Sequence, residues 1–178
     1  MPKSPSRRLV IDASIAGTAG DKRKLHSAGK RCRDFLEAVL VICHRMVWTP
    51  EIGKEWSKHQ SSFSRKWRTR MYARKKVDCV ELPDEDTLWR RLETVEATDE
   101  AREEMLKDCL LIEAAMATDG CVASLDDRAR RLLGRASEHV SELRGIVWVN
   151  PDQPEEHAIA WLEGGARPET GRMLGHAC

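Results

Sequence analysis

RLVIDASIAG, residues 8–17, is the stretch that decides the fold. Leu9, Val10 and Ile11 form a short apolar run that stops at Asp12, and the small residues Ala13, Ser14, Ala16 and Gly17 follow. A parallel strand buried on both faces has this form, apolar throughout rather than alternating. In open α/β sheets, chemistry collects just past the carboxyl ends of the strands, where Asp12 stands. The pattern returns at residues 121–127, CVASLDD, where Cys121, Val122 and Ala123 run into Asp126 and Asp127. Two strands thus each deliver an aspartate to one edge of a sheet.

Working outward, residues 18–30, TAGDKRKLHSAGK, are broken by glycines and charged by lysines, and read as a loop or a short helix with a loop. Residues 31–47 have the helical period, with Phe35, Val39, Ile42 and Met46 on one stripe. Val47 and Trp48 make a very short second strand. Thr49-Pro50-Glu51 is a helix start: a capping hydroxyl, a proline suited to the first helical position and an acid favoured by the dipole. Residues 77–82, VDCVEL, alternate as a third strand, helices are expected over 84–95 and 99–118, and 121–125 is the fourth strand. A helix over 127–140 with Ala129, Leu132, Leu133 and Ala136 inward leads to a fifth strand at 146–149, IVWV. Strands alternating with helices in this order predict an α/β fold: a three-layer α/β/α sandwich around a five-stranded, mostly parallel sheet. Residues 8–150 form the domain, and 151–178 a C-terminal extension with a short helix over 155–163 and a flexible tail.

The 178 residues are enough for one domain with a substantial core. No apolar run approaches the ~20 residues that span a bilayer, and the basic MPKSPSRR start lacks the apolar core of a signal peptide. Cysteines at 32, 43, 79, 109, 121 and 178 include no CxxC pair. They read as reduced thiols of a cytoplasmic protein rather than as a zinc site.

Four acids stand out by context. Asp12 and Asp126 follow strands. Glu55 shares a helical face with Ile52 and Trp56, and Asp108 one with Leu111, Ile112 and Ala115. A carboxylate on an apolar stripe is costly unless something pairs with it. Oxygen ligands drawn from several elements, with no convergent His or Cys set, suit Mg²⁺ or Mn²⁺. Each acid also has a plainer use: Asp126 or Asp127 as the N-cap of the next helix, Glu55 as a partner of Lys58 or His59, and Asp108 in a salt bridge. The net charge is only +1, but residues 57–77 hold no acid and gather Arg65, Lys66, Arg68, Arg70 and Arg74 around Trp67. That stretch is a candidate RNA-binding surface, the basic side chains on phosphates and Trp67 or Tyr72 on bases. The alternative is a solvated helix whose Trp67 packs inward.

VIDAS with Asp12 and Ser14, TPEIGKE with Glu55, and KDCLLIEAAMATDGCVASLDD with Asp108 and Asp126 together resemble the PIN domain over roughly residues 9–149. The resemblance implies a five-stranded parallel sandwich and a Mg²⁺- or Mn²⁺-dependent ribonuclease. Asp12, Glu55, Asp108 and Asp126 match the metal-binding acids, Ser14 the small polar residue beside the first of them, and Asp127 is an additional candidate. Many members are toxins of toxin–antitoxin pairs, so an antitoxin or inhibitor protein, or a homodimer, joins RNA among the implied partners. The alternative is a PIN-like binding module without turnover. Other phosphate chemistries fit less well: Ser14 stands where a haloacid-dehalogenase-type phosphatase needs a second aspartate, Val10 and Ile11 leave no acidic pair for a phosphoacceptor, and there is no Walker A or GxGxxG motif after a strand.

Overall fold

The computed structural model describes residues 6–20, 27–83, 87–95 and 97–176. Its strands are β1 (Arg8–Ile11), β2 (Arg45–Trp48), β3 (Val77–Cys79), β4 (Cys121–Ala123) and β5 (Val147–Val149). They form one five-stranded sheet in the order β3-β2-β1-β4-β5, with every neighbouring pair parallel. β1 is central: Leu9 lies opposite Met46 on one side and Cys121 on the other, and Leu9, Val10 and Ile11 are buried.

The helices are α1 (Ala13–Thr18), α2 (Ala28–Val41), α3 (Pro50–His59), α4 (Ser62–Ala73), α5 (Thr87–Glu93), α6 (Asp99–Lys107), α7 (Cys109–Met116), α8 (Asp127–Ala136) and α9 (Ala158–Glu163). From β1 the chain steps outward through β2 to β3, then returns past β1 to β4 and steps the other way to β5. Right-handed crossovers put the helices of these two halves on opposite faces, giving the expected three-layer α/β/α sandwich. The reversal makes the gap between the ends of β1 and β4 the topological switch point of the sheet.

Local chemistry explains most boundaries. The Thr49 hydroxyl accepts from Ile52 N at 3.2 Å and opens α3, and the Ser27 hydroxyl accepts from Lys30 N at 3.3 Å and opens α2. Ser61 and Ser64 form a reciprocal capping box at the start of α4. The indole of Trp56 donates to Ile11 O at 2.8 Å, tying α3 to the end of β1. Trp56 also stacks on Trp67 at 6.0 Å and meets Trp48 edge-on at 5.7 Å.

Several elements differ from the sequence reading. The helix expected over 99–118 breaks at Asp108, whose φ of −93° and ψ of 2° leave the helical region; its N–H bonds back three residues, to Met105 O at 3.3 Å. α2 begins at Ala28 and ends at Val41, and residues 45–48 are strand. β3 stops at Cys79, and part of the loop expected over 18–30 and the start of the helix expected at 84 (residues 21–26 and 84–86) lie outside the described residues. The tail is not loose through residue 176. Leu174 is buried and its N–H bonds to Ile146 O at 2.9 Å, Met173 forms an antiparallel bridge with Val147, and Arg172 bonds Glu156 and lies over Trp161. Leu174 supplies the apolar anchor that keeps the segment on the sheet edge.

Candidate functional site

Asp12 leaves β1 at the switch point, its N–H held by Ala123 O at 2.9 Å. Its carboxylate Oδ2 accepts a short hydrogen bond from the Ser14 hydroxyl and one of 2.9 Å from the Ser124 hydroxyl. The same two hydroxyls accept backbone N–H groups from the β4 exit: Leu125 N on Ser14 Oγ at 3.3 Å and Asp126 N on Ser124 Oγ at 3.2 Å. Two serines thus lock the loops after β1 and β4 to each other and fix the Asp12 carboxylate. Ser124 was not among the candidates read from sequence. Its signal was slight: a small polar residue in CVASLDD, in the same position after its strand that Asp12 holds after β1.

Asp126 caps α8, its Oδ1 accepting from Ala129 N at 2.8 Å; this is the plainer of its two uses, and it leaves Oδ2 without a protein donor among the described residues. Asp127 is engaged elsewhere, its Oδ2 accepting from the side-chain amides of Asn150 (3.0 Å) and Gln153 (2.8 Å). Asp108 sits half-buried at the α6–α7 break. Burial first, and then the charges of Asp12, Asp126 and Glu104, push its carboxyl up to about 7, with Lys107 opposing weakly. The structure therefore brings Asp12, Asp108 and Asp126 within one electrostatic neighbourhood.

Asp12, Ser14 and Asp108 line one cleft of ≈ 980 Å³, whose far wall is α3. Glu55 also lines it, but as a 54% exposed rim residue that pairs with Lys58 at 2.7 Å and His59 at 3.7 Å. The helical face it shares with Ile52 and Trp56 therefore ends at water rather than in the core. Asp126 and Asp127 do not line the cleft. Among the described residues, no three His, Cys, Asp or Glu side chains form a ready-made metal-binding group.

The basic stretch divides. Trp67 is buried, donates to Leu36 O at 2.6 Å and stacks on Trp56, so it offers no face to a base. The apolar side of α4 took it inward, because an indole covers a large core area and its N–H found a carbonyl. Arg70 pairs with Glu37, Arg74 donates to Leu40 O, and Arg68 lies over Trp48. Arg65 and Lys66 are exposed. Other basic side chains stand nearer the acids: Lys58, from the start of the basic stretch, lines the cleft itself, as do Lys54 and Lys107, which sequence reasoning passed over.

No family model matches the chain, and no curated protein or solved structure is significantly similar to it.

Proposed function

We propose that the chain is a metal-dependent endoribonuclease of the PIN class, hydrolysing RNA phosphodiester bonds in the cleft between α1, α3 and the α6–α7 break. The observation that supports it best is the meeting of Asp12 and Asp108 in that cleft at the topological switch point, with no cation paired to either among the described residues. Hard carboxylate oxygens suit Mg²⁺ or Mn²⁺, and Mg²⁺ keeps several waters and takes as few as one or two protein carboxylates. In this reading Asp12 and Asp108 are the ligands, Asp126 adds its free oxygen or the hydrogen bond of a bound water, and Glu55 acts from the rim. A bound ion supplies an activated water and a Lewis acid for the charge that develops on phosphate. Ser14 and Ser124 hold the Asp12 carboxylate in one orientation, and Lys54 and Lys107 attract the backbone. Asp127 is assigned to holding the turn after β5. Antitoxin, inhibitor or dimer partners rest on the family resemblance alone, and a cytoplasmic location on the reading of the cysteines as reduced thiols. Among the described residues no helix is long and apolar enough to cross a membrane.

A second reading, an RNA- or protein-binding module of the same fold without turnover, draws on the Glu55–Lys58 pair and on the lack of a three-residue ligand group among the described residues. One assay separates the two. Wild-type protein with Mn²⁺ is expected to cut single-stranded RNA, EDTA to stop it, and Asp12→Asn to slow it by about a hundredfold or more. Equal rates for wild type and Asp12→Asn reject the nuclease.

A further inference from the structure

We propose that the outer edge of β3 takes an extended acidic segment of another protein as an added strand of the sheet. No residue of β3 lines the cleft, so this surface stands or falls apart from the nuclease. The two edges of the sheet differ. At β5 the chain closes its own edge: Met173 bridges Val147, and Leu174 N bonds to Ile146 O at 2.9 Å. At β3 no described residue does so. Met46 N bonds to Lys76 O at 2.8 Å and Val80 N to Trp48 O at 2.8 Å, so the chain stays beside β2 as far as Val80. Alternation then turns the N–H and C=O groups of Val77 and Cys79 away from the sheet. No described residue bonds to them. Edge strands are commonly blunted by a lysine or an inward charge. Here both are spent inside the fold, Lys76 Nζ on Leu40 O and Ile42 O and Asp78 on Arg45. Cys79 itself is exposed, and Tyr72, 46% exposed, lies beside its thiol.

Charge decides between occupants. Around the edge Glu37 is paired with Arg70, Asp78 with Arg45, and Asp119 with Arg8. Arg68 lies over the Trp48 ring, and Arg74 and Lys76 donate to backbone carbonyls, none of which cancels their charge. Lys75 is exposed at the turn into β3. With the pairs set aside, these four cations face Glu81, the exposed acid at the strand exit. A second copy would bring the same positive edge against its own image. RNA would meet the charge but has no row of N–H and C=O groups to match. An acidic strand meets both, its main chain supplying affinity along the edge.

Fluorescence anisotropy on the full chain tests this with three short labelled peptides: alternating glutamate and valine, alternating lysine and valine, and the glutamate peptide with every amide N-methylated. The first is expected to bind, and the other two at least about tenfold more weakly. Cys79→Pro removes an outward N–H and leaves both inner bonds in place; it should weaken the glutamate peptide about tenfold or more, whereas Cys79→Ser should bind as wild type does. Lys75→Glu should weaken it about fivefold. Equal binding of the N-methylated peptide means attraction by charge alone and overturns the proposal, whether or not Cys79→Pro folds. No binding by wild type overturns it too. Asp84, Glu85 and Asp86 follow in the sequence, outside the described residues; binding seen only after Asp84→Asn, Glu85→Gln and Asp86→Asn are combined gives the edge to the chain's own acids. A labelled oligouridine that binds more tightly than the peptide and is weakened by Lys75→Glu gives it to nucleic acid. A dimer in sedimentation that Cys79→Pro dissolves gives it to a second copy. Each of these last three also overturns the proposal.

Discussion

Asp108 places a carboxylate where desolvation and three other acids all oppose its charge. The sign of the consequence follows from the direction of the shift. Below about pH 4 the group is protonated whether the chain is folded or not. Between there and its folded value of about 7 the unfolded chain gives up the proton and the folded one keeps it, so stability falls as pH rises and the full penalty stands above 7. Asp108→Asn removes the charge and keeps the shape. In metal-free protein we expect the variant to be more stable than wild type at pH 8, by about 1–3 kcal/mol, and nearly equal to it at pH 4. Denaturant unfolding in EDTA at the two pH values measures this; a variant less stable at pH 8 would mean that the Asp108 charge is compensated. At this scale the sequence was informative about cost and poor about partners. An aspartate on an apolar stripe marked Asp108, whereas Asp126 and Glu55 could be read as ligand, cap or ion-pair partner, and the structure shows the cap and the ion pair. Ser124 escaped notice because a hydroxyl becomes meaningful only once β1 and β4 are known to be neighbours.

At the scale of elements, the strands and the caps were legible because their signals are local. Thr49-Pro50-Glu51 starts α3, and the apolar runs at 9–11 and 121–123 are the central pair of the sheet. The break at Asp108 was not, because residues 99–118 contain no glycine or proline to announce one. Trp67 was ambiguous for a related reason: the helical period places it on a face but not against a neighbour, and the neighbour is Trp56. The junction of α1 with the α3–α4 corner was likewise invisible. There Ala16 O accepts from the hydroxyls of Ser61 (3.0 Å) and Ser64 (2.5 Å) and from Ser61 N (3.2 Å). Gly20 follows on the same side, and a Cβ placed on it would lie 2.4 Å from the Cβ of Ser61. That neighbour is held to Ala16 O by both its hydroxyl and its N–H and cannot swing aside. Gly20→Ala is therefore expected to destabilise the fold by about 1–3 kcal/mol, read as a lowered Tm. A neutral substitution would mean that α1 and the α3–α4 corner slide apart without cost.

Across the whole molecule the distant segments are joined by a buried histidine. His44, between α2 and β2, accepts from Arg7 N on Nδ1 at 3.2 Å, and its Nε2 donates to Leu162 O on α9 at 2.8 Å. These bonds require the neutral ring protonated on Nε2. Burial, with the positive charges of Lys76 and Arg7, pulls its pKa below 6.5, and the Leu162 carbonyl opposes this only in part. A second proton would sit on Nδ1 and face the Arg7 N–H, donor against donor. The stability that His44 contributes is thus complete above about pH 6.5 and is lost as pH falls through the depressed folded value. In the same range Asp108 acts oppositely, so wild-type stability between pH 7 and 5 reports a difference of two effects. Asp78 and Asp119, held below the usual carboxylate range by Arg45 and Arg8, respond only in stronger acid. The Asp108→Asn background isolates the histidine. There, acidification from pH 7 to 5 should lower stability and speed hydrogen exchange at Trp161 and Leu162 before the sheet amides. Adding His44→Gln should cost about 1–2 kcal/mol at pH 7 and flatten the dependence. If the double variant keeps the slope of its Asp108→Asn parent, the ring is not what joins the start of β1 to α9, and the C-terminal segment must be held by Leu174 and the Arg172–Glu156 pair alone.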